Sequence, residues 1–189
     1  MYRETAEQLL AFIEKSPSCF HAIKNMKDIL LAEGFAQLRE EDKWEIVNGG
    51  KYFVTRNDSS IVAFTIPETG ALGYRIMASH SDSPTFKIKE NPEMEAAHCI
   101  KLNVEKYGGM ICAPWFDRPL SIAGRLVVSE GSRLVSKLVN VDRDLVMIPN
   151  LAIHMNRQVN DGYAYNAQKD MLPVFGSLEA KGTFMSLIA

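Results

Sequence analysis

The sharpest chemical signal in this sequence is a histidine-x-aspartate tripeptide inside Ser79-His80-Ser81-Asp82-Ser83-Pro84. A neutral imidazole binds a metal through one ring nitrogen, and a carboxylate at the other nitrogen orients the ring and raises its basicity. His80 is therefore a candidate metal ligand, with Asp82 as its orienting acid. The same spacing suits a polar turn in which the aspartate caps backbone groups, and the residue types alone leave both readings open. Cys19 and His21 lie two apart on a helical pattern, where side chains diverge, so a thiol with its base is not encoded there. His98 and Cys99 are adjacent but have no further ligand at metal spacing, and read as loop or strand residues. Trp115-Phe116 followed by Asp117-Arg118 reads as an aromatic pair beside an ion pair, a composition that packs a lid or a subunit contact. His154 stands alone beside an apolar run, Leu151-Ala152-Ile153, where an imidazole can be a binding group or a structural one.

These residues depend on the elements that carry them. Leu9, Leu10 and Ile13 fall at helical spacing, and the pattern ends at Ser16-Pro17 because proline disfavours α geometry in the residue before it. Ser18 is placed to cap a second helix bearing Ala22, Ile23, Met26, Ile29 and Leu30, which Gly34 ends through a left-handed position. After Gly49-Gly50 the pattern predicts strands at Lys51 to Arg56, Ile61 to Thr65 and Gly73 to Ser79, separated by turn-forming residues. The third run leads into His80, so the chemistry is expected where a strand ends. From about Lys89, Pro92 and a glutamate-rich turn give way to β-like runs at Ile100 to Val104, Arg125 to Val128 and Leu134 to Asn140. Phe184, Leu187 and Ile188 recur at helical spacing near the end, with no residue type that closes a helix after them. The pattern reads as α/β: residues 1–88 as the first part of a helix-covered sheet domain, and residues 89–189 as a β-rich second domain that is cut before it finishes.

Composition excludes several functions. The 189 residues are 47% apolar and 23% charged, the profile of a globular protein with a real core. A formal charge of −2, from 21 basic and 23 acidic residues, gives no footprint for nucleic acid or an anionic membrane. Cys19, Cys99 and Cys112 form neither a disulfide framework nor a zinc knuckle, which suits a reducing cytoplasm. No run approaches the length of a membrane helix, and Met1-Tyr2-Arg3-Glu4-Thr5 lacks the apolar core of a signal peptide.

Several segments, in order and at matching spacing, resemble the aspartyl aminopeptidase family. They are Ser16-Pro17-Ser18-Cys19-Phe20-His21-Ala22, Tyr52 to Asn57 with Ser59 to Phe64, Ser79 to Pro84, Tyr107-Gly108-Gly109, Trp115 to Arg118, Ala123-Gly124-Arg125 and Ile148 to His154. The resemblance implies a two-metal aminopeptidase, its catalytic domain interrupted by an inserted lid and dimerisation domain. The metals would be zinc, with cobalt or manganese as alternatives, and the substrates peptides with an acidic N-terminal residue. It implies that His80 is a metal ligand, that Asp82 orients it, and that His154 reaches toward a neighbouring subunit's site to hold substrate. It also implies further ligands and a general base, from an aspartate, a glutamate pair, another aspartate and a late histidine, at positions downstream of the lid. Glu40-Glu41, the adjacent glutamate pair present here, lies far upstream. The expectations are therefore a metal-dependent aminopeptidase in the intact protein, catalytic silence in the 189-residue chain alone and, as the competing reading, a self-associating lid module without chemistry.

Overall fold

The computed structural model describes residues 2–70 and 73–189. The chain divides into two compact units, one running to Asp82 and including Val127–Leu138, the other comprising Ser83–Leu126 and Val139–Ala189.

The first unit opens with helix α1 (Tyr2–Glu14) and helix α2 (Cys19–Ala32). Ser18 is the N-cap of α2, its hydroxyl accepting the His21 backbone N–H at 3.4 Å. At the other end Phe35 N–H donates to the Leu30 carbonyl and Gly34 N–H to the Leu31 carbonyl, with Gly34 at φ 80°. This paired closure needs a left-handed residue after the helix, which glycine supplies without a Cβ penalty. α2 buries Ala22 and Ile23, whereas α1 buries nothing, and its apolar stripe of Leu9, Leu10 and Ile13 faces outward. The sheet has the order β1 (Ala36–Leu38), β2 (Lys51–Arg56), β3 (Ser60–Thr65), with β1 parallel and β3 antiparallel to β2. Tyr52 and Phe53 on β2 supply its buried side chains.

The expected strand at Gly73 to Ser79 does not form. No described strand pairs with this segment, and Tyr74, Ile76 and Met77 are 94%, 85% and 99% exposed. Alternating apolar residues make a strand only where a ladder partner satisfies the backbone.

The second unit is built on β5 (Cys99–Tyr107), flanked by β4 (Thr85–Ala96) and β8 (Val174–Ser177), both antiparallel to it. β4 begins at Thr85, ahead of the 88/89 boundary expected from composition. Ile100, Leu102 and Val104 alternate inward on β5; Leu102 and Val104 join Val146, Leu172 and Phe184 in the core. Phe184 comes from a closing five-residue helix, α3 (Phe184–Ile188), at the position where the helical spacing predicted one. The turn expected around Pro92 is instead a bulge within β4. Ile88 pairs with Val104 and Glu93 with Leu102, so four residues of β4 stand opposite Asn103 alone. Proline has no N–H for a ladder, and β4 is an edge strand where a bulge accommodates it. Glu93, just past the bulge, accepts the Gly182 N–H at 2.5 Å and the Phe184 N–H at 2.9 Å, tying β4 to the start of α3. The hairpin of β6 (Ala123–Glu130) and β7 (Arg133–Asn140) turns at Gly131, and its Val127–Leu138 portion belongs to the first unit.

The β4–β5 hairpin turns through Ala97 and His98, both left-handed at φ 50° and 62°. A two-residue turn of this kind favours Asn-Gly, and a side chain with a Cβ is strained there. His98→Gly is expected to stabilise the protein by about 1 kcal/mol, seen as a Tm raised by a few degrees in thermal unfolding; an unchanged or lower Tm would contradict the strain. The two backbone N–H groups on Glu93, with help from Lys181, hold its carboxyl below the usual value of 4.5. A carboxylate depressed in the folded state stabilises above its unfolded pKa, and that contribution is lost as pH falls through the folded value. Glu93→Gln should therefore lower Tm at pH 6, and its gap from the wild type should close as pH drops below about 4.5. A gap of constant size in a pH series of melts would refute the linkage.

Candidate functional site

His80 lies in a segment that is neither helix nor strand and is pinned beside the β2–β3 turn. There the Ser81 hydroxyl donates to the Ser59 carbonyl at 2.8 Å. With Ser81 turned to that anchor, its neighbours two apart meet each other. His80 Nδ1 lies 3.0 Å from Asp82 Oδ1 and 2.7 Å from the Asp82 carbonyl oxygen. Both partners are acceptors, so Nδ1 carries the hydrogen and donates it. In the neutral ring the lone pair then sits on Nε2, the atom left for a metal. The imidazole side chain is 79% exposed, while Asp82 is partly covered. The carboxylate contact with the ring is the geometry that an aspartate orienting an imidazole needs.

Among the described residues, no three His, Cys, Asp or Glu side chains converge to hold a metal ion. His80 fits as one imidazole arm of such a site, and the described residues do not complete it. Glu40 and Glu41 are engaged elsewhere, in exposed ion pairs with Arg56 and Arg39. His154 belongs to the second unit, in an exposed turn after Ile148.

The other candidates take structural roles. His21 Nδ1 meets the Ser18 hydroxyl at 2.8 Å rather than Cys19. Burial, with a smaller contribution from Lys24, pushes the His21 pKa below 6.5, so this ring stays neutral where a free histidine begins to charge. His98 forms the strained hairpin turn, and the Cys99 thiol donates to the Ala96 carbonyl at 3.0 Å. Trp115, half-buried, packs edge-on against Phe86, with ring centroids 5.0 Å apart, and Phe116 lies against Tyr165 with centroids 5.0 Å apart. The ion pair expected of Asp117 and Arg118 is replaced by backbone bonds. Asp117 accepts the Asn150 N–H at 2.8 Å, and Arg118 donates to the Pro114 carbonyl at 3.4 Å. Sequence reasoning missed this role for Asp117. The available signal was weak: aspartate tolerates left-handed backbone and caps nearby amides, but its partner lies 33 residues on.

Residues 12–184 match a family described as aminopeptidase I zinc metalloprotease (M18). The chain is 51% identical over 183 residues to the probable M18 family aminopeptidase 2 of Clostridium acetobutylicum, covering 94% of this chain and 42% of that protein. It therefore spans about two fifths of the length of that curated relative. Among solved structures it is similar to a chain of the Ape4 and Nbr1 complex, with TM-score 0.87 and 39% identity over 94% of this chain and 35% of the other. It also shares its fold with the S. cerevisiae mApe1 dodecamer, with TM-score 0.74 and 24% identity over 97% of this chain and 41% of that one.

The tautomer of His80 can be tested directly. In a ¹⁵N-resolved spectrum at neutral pH the His80 hydrogen is expected on Nδ1, and Asp82→Ala, which removes the carboxylate but keeps the backbone carbonyl acceptor, should shift part of the population toward Nε2, the form a free histidine side chain favours. An Nε2–H ring in the wild type would remove the orienting role of Asp82.

Proposed function

The chain belongs to the aminopeptidase I zinc metalloprotease (M18) family, and on that premise we propose that it serves a metal-dependent aminopeptidase that removes acidic N-terminal residues, Asp or Glu, from peptides. The observation behind this reading is the His80 ring, its Nδ1 engaged by Asp82, which leaves Nε2 as the nitrogen that would bind a metal. His80 is one ligand in a site for two divalent ions, zinc first, and Asp82 holds the ring in place. A bound divalent metal supplies Lewis acidity and a water whose pKa falls to about 7. His154 meets the substrate. Residues 1–88 contribute the first part of the catalytic domain, and 89–189 the lid and dimerisation domain. Acidic preference rests on the motif resemblance.

Self-association belongs to the same reading, because a relative of the same fold is a dodecamer. The β4 edge is a poor route to it, since Pro92 and the bulge interrupt the ladder a second strand would need. Among the described residues no helix is long and apolar enough to cross a membrane. Location in a reducing cytoplasm belongs to the same reading, on the number and spacing of the three cysteines.

The 189-residue chain alone is catalytically silent, because one imidazole cannot hold a dinuclear centre. Supplied with zinc, cobalt or manganese, it should leave aspartyl and glutamyl anilides intact, while the full-length protein cleaves them. In the full-length protein Asp82→Asn should cut activity or metal affinity about 10- to 100-fold. Metal-dependent hydrolysis by the 189-residue chain, or full activity in Asp82→Asn, would defeat the proposal.

A further inference from the structure

Asp117 holds a backbone conformation that side chains seldom adopt, at φ 54°. Unlike the other left-handed pair in its unit, Ala97 and His98, it does not close a two-residue hairpin. Left-handed backbone in a residue other than glycine is strained and persists where neighbouring contacts fix it. Here those contacts can be named. Asp117 N–H donates to the Ile148 carbonyl at 2.9 Å, its carboxylate accepts the Asn150 N–H at 2.8 Å, and Phe116 bridges to Ile148 in parallel. Ile148 is fully buried, whereas residues 150–155 are exposed.

Asp117 therefore grips the chain at the point where it leaves the core. From there the geometry is passed on locally. Asn150 Oδ1 accepts the Leu151 N–H at 2.8 Å, and Met155 N–H donates to the Ala152 carbonyl at 2.8 Å, closing a turn with His154 inside it.

We infer that Asp117 is a positioning residue for His154, setting through the Asn150 amide where the turn departs and so where the imidazole is presented to the substrate. The inference rests on the proposed reading of His154 as a substrate-holding residue. It assigns to Asp117 no contact with substrate or metal.

The test uses the full-length protein with its metal bound. Asp117→Gly accepts the left-handed backbone and removes the carboxylate, whereas Asp117→Asn keeps an acceptor in the same place. Hydrogen exchange at Asn150 and Leu151 should accelerate in Asp117→Gly and stay near wild type in Asp117→Asn. KM for an aspartyl anilide should rise about five- to tenfold in Asp117→Gly, the scale of one lost hydrogen bond, with kcat changing much less. Asp117→Asn should restore it. Combined with His154→Ala, Asp117→Gly should add little further, since both act through one imidazole. Unchanged exchange at Asn150 in Asp117→Gly overturns the positioning role. So does faster exchange with an unchanged KM, where His154→Ala alone raises KM. An unchanged KM in His154→Ala instead overturns the reading of His154 beneath it, a result obtained without touching Asp117.

Discussion

The second unit depends on a strict alternation along β5, where Ile100, Leu102 and Val104 turn inward and the residues between them turn away. Removing such side chains from water contributes roughly 1.5–3 kcal/mol each. Because side chains on a strand repeat every two residues, a one-residue slip would carry all three to the opposite face. That constraint explains why β4 absorbs the irregularity. The central strand cannot shift without losing the core, so the extra residues around Pro92 accumulate on the edge partner. Glu93 then emerges in position to receive the amides at the start of α3, and Phe184 follows them into the core beside Leu102 and Val104.

Elements set by local chemistry were legible in the sequence. The capped α2 and its glycine closure, the β2–β3 hairpin, β5, and the β6–β7 pair each carry their own start, stop or periodic signal. β1 and β8 are short strands whose existence is decided by a neighbour rather than by their own three or four residues. β4 was hidden by Pro92, which argues against a strand everywhere except at an edge or a bulge. Gly73 to Ser79 failed in the opposite sense, with apolar alternation present and no ladder beside it among the described strands.

The candidate site shows the same division. His80 and Asp82 are two residues apart, and their contact follows from residue type plus a local anchor, Ser81 on Ser59. Asp117 and Asn150 are brought together only by the parallel approach of Phe116 and Ile148, a tertiary event with no trace in either segment alone. Trp115 likewise meets Phe86, a partner 29 residues upstream that its own segment does not announce.

The turn through Ala97 and His98 bears on the order of events in folding. Hairpins that begin at their turn need residues that already favour its backbone, and these two oppose it. The β4–β5 pairing must then be driven by the apolar rows of the strands, after a collapse that gathers segments far apart in sequence, Val146 and Leu172 among them. Non-local closure of that kind is slow compared with zipping from a turn. A turn that opposes its own backbone thus leaves the start of this hairpin to the apolar rows of its strands.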